Sequence, residues 1–478
     1  MRSGFTLKEV KKATGATCAG EEAARRLPES VCGVSIDSRT VKPGELFVAL
    51  KGAARDGHDF VSQALACGAS AALVSSEWLG SLASEDRVRP FLSVRDTLWS
   101  FQELARYHRI RVNPKVVAVT GSNGKTTTKE MIAAVSATTY RTARTQGNFN
   151  NQFGVPITLL QLQQGDEVAV VEMGMNRPGE IARLAALAMP SVGVITNASA
   201  AHLEGMGTVL DVAVAKSELA EELDRDDWLI LHRDSEELFR LNSGRHVRLI
   251  TFGTSSQSDL SPRSVRYLGA GGTELTVDGF PPVRIRLLGK QNVLNALAAL
   301  AASRALGVAA DKAAAALASV APTSGRMEMK KIGPASFIDD TYNANPGSMA
   351  AALETLFALE GFTRKVAILG DMLELGETAE NWHFELGRSA ARADLVILCG
   401  QFAEAVRRGA EAAGAGPDSV FVACSHSEAA ERVASSWSAG DLYLVKGSRG
   451  TAMETVIEEL EARAGGALSA RTAAKKGT

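Results

Sequence analysis

The strongest constraint on this chain is a junction. Four apolar residues, Val116-Val117-Ala118-Val119, run into TGSNGKTTT at 120–128, and the following residues, KEMIAAV, keep a helix-compatible pattern. A buried strand that ends in a glycine turn and opens a helix is the setting of a phosphate-binding loop. In such a loop, backbone N–H groups and a helix N-terminus converge on an anion. The common spacing G-x-x-x-x-G-K-[ST] places its first glycine where this chain has Val119, and Gly121 stands two residues later. The loop is therefore a shortened form. Gly121 and Gly124 permit the turn and a close approach, Lys125 brings a point charge to the β- and γ-phosphates of ATP, and Thr126 brings a hydroxyl to Mg²⁺. Thr120, Ser122, Asn123 and Thr127 complete the candidate nucleotide-binding set.

A chain of 478 residues suggests about three domains at ~100–200 residues each. Residues 1–110 hold short strand-like runs (46–50, 71–74, 91–94) between helical patterns, and RVNPK at 111–115 reads as a linker. A central domain, 111–321, starts at the Val116 strand. It continues through a strand at 167–171, a helix opened by Pro178, a strand at 192–196, a β-like insert at about 246–288 and an Ala-rich helical stretch at 292–320. A C-terminal domain, 322–478, alternates apolar strands with helices at 337–338, 366–369, 395–398, 420–423 and 442–445. That alternation predicts a parallel, doubly wound α/β sheet of Rossmann-like type. The tail 467–478 is expected to be disordered.

The net charge of −2 gives no global field for nucleic acid or an anionic membrane, and no basic stripe with interleaved aromatics appears. The five cysteines show no C-x-x-C pair and fit reduced core thiols in a cytoplasmic protein. The N-terminus lacks an apolar signal core, and the most apolar helical stretch is broken by Arg304, so no membrane insertion is expected.

Ligands of open α/β sheets sit at the carboxyl ends of strands. Glu172, at the end of EVAVV, and His202, in NASAAHLEGMG after the 192–196 strand, are therefore candidate metal ligands beside Thr126. A solvated carboxylate and a structural histidine are the plain alternatives. Ser425-His426-Ser427 has no motif around it and reads as surface. His383 reads as a helix-face histidine or a residue that orients substrate.

Several segments carry a resemblance. TGSNGKTTTKE, NFNNQFGVPITLL (148–160), VEMGMNRPGEI (171–181), NASAAHLEGMG (197–207), DDTYNANPGSM (339–349), LGDMLELG (369–376) and VKGSRG (445–450) resemble the ATP-dependent Mur ligases of peptidoglycan synthesis. DSRTVKPGELFVALKG (37–52) and DGHDF (56–60) are similar to that family's uridine-nucleotide-binding domain. The shortened loop is the family's own form, TG-x-NGK-[ST]. The resemblance implies three α/β domains: an N-terminal uridine-nucleotide domain, a central P-loop ATPase-like domain and a C-terminal Rossmann-like domain. It implies a monomer that consumes ATP with Mg²⁺. Its DDTYNANP signature points to the member that adds D-alanyl-D-alanine to UDP-N-acetylmuramoyl-tripeptide.

The resemblance also implies residue roles. Lys125, Glu172, His202, Lys216 and Arg326 would be catalytic, with Arg326 reaching the ATP phosphates from the C-terminal domain. Lys216, in VAVAKSEL, matches a lysine that several relatives carry as a carbamate; unmodified it is a plain cation. Asn292 and Asn295 match the adenine-side helix, although Gln291 stands where the family often has histidine. Asp340 would line the nucleotide. Asn148, Asn150, Asn151, Tyr342, Asn343, Asn345 and Ser348 would line substrate, and Ser38, Arg39, Arg55, Asp56 and Gly57 would hold the uridine substrate.

A carboxylate is a poor electrophile, so amide formation needs it activated, and phosphorylation by ATP does this. Two further classes remain open: another amide ligase of the superfamily, such as a folylpolyglutamate synthase or a different Mur ligase, and a nucleotide-switch or scaffold protein. A nicotinamide dehydrogenase is excluded by the lack of a G-x-G-x-x-G after a strand.

Overall fold

The structure is a computed structural model that describes residues 4–52, 54–201 and 203–475, with side chains to residue 465. The chain forms two compact units: one runs to residue 118 and takes in 140–175 and 180–192; the other comprises 119–139, 176–179 and 193 onward.

In the first unit a five-stranded sheet runs in the order Thr17–Cys18, Phe91–Val94, Ala71–Ser75, Leu46–Val48, Val34–Ser35. Only its first pair is antiparallel. Leu46, Val48 and Leu73 face one apolar cluster with Phe5 and Phe101, while Phe47, Ala72 and Val74 face another with Phe91. This period-two split buries both faces, as a parallel sheet requires. The helix Thr97–Val112 starts where Asp96 accepts from the Trp99 N–H at 3.0 Å and stops at Asn113, whose φ of 56° is left-handed. The expected 111–115 linker is thus a helix end and a strand start. Strands Thr142–Arg144 and Val168–Glu172 pair in parallel. The helix Gly154–Leu160 lays Ile157 and Leu160 on the first apolar cluster.

In the second unit Trp228–His232 and Arg248–Phe252 pair in parallel. The expected β insert is a three-stranded antiparallel sheet of Pro262–Tyr267, Thr273–Val277 and Val283–Ile285. The expected helical stretch 292–320 is two helices, Gln291–Leu306 and Ala310–Leu317, separated by Gly307 at φ 73°. Likewise Pro178 stands in a turn rather than in a helix, because Gly179 at φ 84° delays the helix to Glu180.

A six-stranded sheet closes this unit in the order Glu328–Ile332, Ala335–Asp340, Asp441–Lys446, Arg364–Leu369, Leu395–Cys399, Val420–Ala423, parallel after its first pair. Phe337 and Ile338 point to opposite clusters, so helices cover both faces. All five expected strands are present. Glu328–Ile332 was not legible, because EMKKI is a half-polar edge strand. The final helix runs over Glu454–Lys475. Residues 476–478 lie outside the described residues.

Candidate active site

The strand Lys115–Thr120 delivers the glycine turn to the helix Lys125–Ser136. Gly124 is the N-cap at φ 82°, and Gly121 has φ 146°. A Cβ on Gly124 would lie 2.3 Å from Asn295 Oδ1, and one on Gly121 would lie 1.8 Å from Thr196 Oγ1. Backbone conformation and close approach thus both require glycine. The loop is stitched to residues 196–199. Ser122 N–H donates to Asn197 O at 2.9 Å, Asn123 N–H to Asn197 Oδ1 at 2.9 Å, and Thr196 Oγ1 to Asn123 O at 2.6 Å. Ser199 N–H donates to Ser122 Oγ at 3.0 Å. Lys125 Nζ folds over the turn and donates to Gly121 O at 2.8 Å and Ser122 O at 3.3 Å. Thr120 and Thr126 are buried, and Thr127 is half-buried.

Behind the loop, Thr128 Oγ1 donates to Asn295 Oδ1 at 3.1 Å, Asn295 Nδ2 to Asn292 Oδ1 at 2.8 Å, and Asn292 Nδ2 to Leu288 O at 2.7 Å. The two asparagines therefore brace the loop helix against the helix Gln291–Leu306. Lys216, on the helix Val209–Glu221, is 1% exposed. Burial, then the Lys125 charge, hold its ammonium well below the usual lysine range. Lowering of this kind favours the neutral, nucleophilic amine over the ammonium.

The carboxyl ends of Ala335–Asp340, Asp441–Lys446 and Arg364–Leu369 carry three sequence motifs, TYNANP, KGSRG and GDMLELG. Lys446 Nζ donates to Asp340 Oδ2 at 2.6 Å and Asn343 O at 2.8 Å. Ser448 Oγ donates to Ala344 O at 3.1 Å and accepts from Leu373 N–H at 2.9 Å, tying all three loops together. The Arg326 guanidinium lies over the Tyr342 ring at 3.9 Å. Asn345 caps the helix Pro346–Ala358 in a reciprocal box with Ser348. Its Nδ2 also donates to Asn123 Oδ1 at 2.8 Å, which joins the TYNANP loop to the phosphate-binding turn within one unit. Ser348 is engaged in capping.

In the first unit Glu172 ends its strand 1% exposed. Its Oε1 accepts from Asn150 Nδ2 at 2.8 Å, and its backbone N–H donates to Thr145 Oγ1 at 3.0 Å. Its Oε2 is buried with no partner among the described residues. Asn151 Oδ1 accepts from the N–H groups of Phe153 and Gly154, and Asn148 is exposed. His202 lies outside the described residues.

A cavity of about 1440 Å³ opens in this unit, lined by Ser38, Arg39, Arg55 and Gly57 together with Phe149 and Phe153 from the asparagine-rich segment. Asp37 holds the Arg39 guanidinium through two bonds of 2.9 and 2.6 Å, and this pairing lowers the Asp37 carboxyl to about 2. Asp56 does not line the cavity. Its Oδ1 lies 2.6 Å from His58 Nδ1, whose ring accepts at Nε2 from Ser75 N–H.

Sequence reading missed Asn197, Ser199 and Lys446. The first two lie in NASAAHLEGMG, where His202 drew the attention, and Lys446 is masked by its apolar strand.

His383 is structural. Its Nε2 accepts from Met372 N–H at 2.9 Å and its Nδ1 faces Ala379 O at 2.6 Å, which fixes a neutral ring stacked on Phe402. His108 is held the same way, between Arg111 and Leu162 O. Burial lowers both pKa values from 6.5. The folded rings stay neutral while the unfolded chain takes up protons, so their stabilisation is present above the unfolded value and is lost as pH falls below it. The urea unfolding midpoint is expected to drop as pH falls below about 6.5. A midpoint that stays level over the next unit downward would contradict this.

No helix among the described residues is long and apolar enough to cross a membrane. Residues 30–96 match the model of the Mur ligase family catalytic domain, 119–303 the Mur ligase middle domain, and 325–449 the Mur ligase glutamate ligase domain. A UDP-N-acetylmuramoyl-tripeptide--D-alanyl-D-alanine ligase of Bacillus subtilis (strain 168) is 36% identical over 95% of this chain and 98% of its own length. A crystal structure of MurF from Acinetobacter baumannii superposes with a TM-score of 0.85 at 30% identity, covering 96% of this chain and 99% of that one. MurF ligase from Thermotoga maritima in complex with ADP gives 0.80 at 30% identity, over 90% of this chain and 98% of that one. The matches follow the three blocks in order, and the chain belongs to the Mur ligase family.

Proposed function

We propose that this chain joins D-alanyl-D-alanine to UDP-N-acetylmuramoyl-tripeptide, converting ATP to ADP and phosphate, in the cytoplasmic synthesis of peptidoglycan precursors. One observation carries the reading: the Asn345–Asn123 hydrogen bond fastens the TYNANP signature to the phosphate-binding turn, so both motifs serve one site. The relatives' names supply the substrates.

The tripeptide carboxylate attacks the γ-phosphorus, the bond to the β-phosphate oxygen breaks, and ADP leaves. The dipeptide amine then attacks the acyl carbon, phosphate leaves, and the amine loses a proton. The first step brings an anion to a polyanion. Two unit charges at ~4 Å interact by about 4 kcal/mol at an effective dielectric of 20. Lys125 and Arg326 offset this repulsion, and catalysis rests on positioning and fixed charge. The N–H groups at 124–127, at the N-terminus of the loop helix, hold the phosphates, and Asn292 and Asn295 hold that helix in place.

Mg²⁺ would be held by Thr126, Glu172 and His202, the buried partnerless Oε2 of Glu172 being the kind of oxygen such an ion takes, and it would neutralise charge on the phosphates. Lys216 matches the lysine that several relatives carry as a carbamate; as a carbamate, formed by addition of its neutral amine to CO₂ with loss of a proton, it would be an anion within reach of the Lys125 charge. Ser38, Arg39, Arg55 and Gly57 take the uridine nucleotide in their cavity, and Tyr342 and Asn343 face the dipeptide. Domain limits are placed at 1–110, 111–321 and 322–478, and the enzyme works as a monomer.

The test is ADP release with each substrate omitted in turn. Turnover is expected only with ATP, the uridine-linked tripeptide and D-alanyl-D-alanine together, and bicarbonate is expected to raise it in enzyme prepared free of CO₂. ADP release that ignores the dipeptide, or a folate acceptor that works equally well, would overturn the reading.

A further inference from the structure

The KGSRG motif carries two cations, Lys446 and Arg449, and this mechanism uses neither. Lys446 is 2% exposed and committed to Asp340 and Asn343. Arg449 is different: its side chain is 67% exposed and stands at the start of the short turn Arg449–Thr451 that follows the strand Asp441–Lys446. Its backbone N–H donates to Asn343 Oδ1 at 3.3 Å, and its guanidinium lies 6.0 Å from the Tyr342 ring centre. Tyr342 thus has Arg326 close to its ring and Arg449 further out. Arg449 Nη1 donates to Glu454 Oε1 at 2.9 Å. The other donors of that side chain have no partner among the described residues. Glu454 therefore orients the fork and leaves part of it for a ligand.

D-Alanyl-D-alanine has two ends. Its amine must reach the acyl carbon, so its carboxylate must be held away from the phosphates, which repel it. A planar guanidinium recognises a carboxylate through paired, charge-assisted hydrogen bonds. We infer that Arg449 binds the free carboxylate of D-alanyl-D-alanine, with Tyr342 and Asn343 beside it, and so selects a dipeptide acid over other amines. This rests on the function proposed above. Ser448 supports the role indirectly, because its hydroxyl locks the loop that presents Arg449.

The experiment compares D-alanyl-D-alanine with its C-terminal carboxamide in the wild type, R449A and R449Q. A charged hydrogen bond of this kind corresponds to about a 10- to 100-fold change in kcat/KM. The wild type is expected to prefer the acid by that factor. Both variants are expected to lose about the same factor on the acid, to handle the carboxamide like the wild type, and to show a preference near one. KM for ATP and for the uridine-linked tripeptide is expected to stay unchanged. A wild-type preference for the acid in either variant overturns the assignment. So does loss of turnover with the carboxamide, because a group that holds only the carboxylate is not needed once the carboxylate is gone. A wild-type enzyme that uses neither dipeptide would instead overturn the proposed function itself.

Discussion

Replacing Lys125 by alanine is expected to lower ADP formation by roughly 10³-fold or more, while the uridine-linked tripeptide still binds. The transferring phosphoryl group carries charge spread over three oxygens, and fixed cations stabilise that charge without reorganising when it develops. The Lys125 ammonium is fixed in this way, held by two loop carbonyls at 2.8 and 3.3 Å. The uridine cavity takes none of its lining from the loop, so calorimetric titration with the nucleotide substrate is expected to give a wild-type Kd. Full turnover by Lys125→Ala would remove the loop from the mechanism. Loss of nucleotide-substrate binding would mean that the substitution had disturbed the fold instead.

Much of the scaffold was legible in the sequence. The run Val116–Val119 before a glycine turn left little freedom, and the five C-terminal strands stood out as apolar runs, four of them largely buried and the edge strand Val420–Ala423 legible although Val422 is exposed. The N-terminal strands Thr17–Cys18 and Val34–Ser35 are too short to show a period. The helix break at Gly307 was missed because the alanine-rich pattern continues on either side of it. The candidate site was legible as a set of residues but not as a set of partners. Asn123 and Asn345 lie 222 positions apart, and no local pattern shows that they bond. Asn292 and Asn295 occupy family positions, yet the fold commits their amides to Thr128 and Leu288. Asp56 lies beside cavity residues in sequence, but its carboxylate turns to His58. A polar side chain advertises its chemistry in the sequence, and only the packed neighbours decide whether that chemistry is free.

Gly121 offers the sharpest test of the shortened loop, because its replacement by alanine meets an obstacle that cannot step aside. The new Cβ would lie 1.8 Å from Thr196 Oγ1 and 3.0 Å from Thr196 Cβ, at a backbone φ of 146° that side chains rarely adopt. Threonine is β-branched and stiff about its first torsion. Rotating its hydroxyl away would also forfeit the bond to Asn123 O at 2.6 Å. The turn itself must therefore move, carrying with it the N–H groups of Ser122 and Asn123 that bond to Asn197. Overpacking and backbone strain together are expected to cost about 2–4 kcal/mol in unfolding free energy. The turn leads directly into the helix N-terminus at 124–127, so its displacement is expected to weaken ATP binding by about 100-fold or more. A double-mutant cycle separates these effects. Thr196→Ala alone loses a hydrogen bond, about 1 kcal/mol. Combined with Gly121→Ala it removes the 1.8 Å clash while the 3.0 Å approach of the Cβ and the backbone strain remain, so the pair is expected to be more stable than the sum of the single losses, with a favourable coupling of about 1–2 kcal/mol. Chemical denaturation of the four proteins gives that coupling directly. A Gly121→Ala protein within about 0.5 kcal/mol of wild type, with ATP affinity intact, would show that the close approach of Thr196 does not constrain the turn.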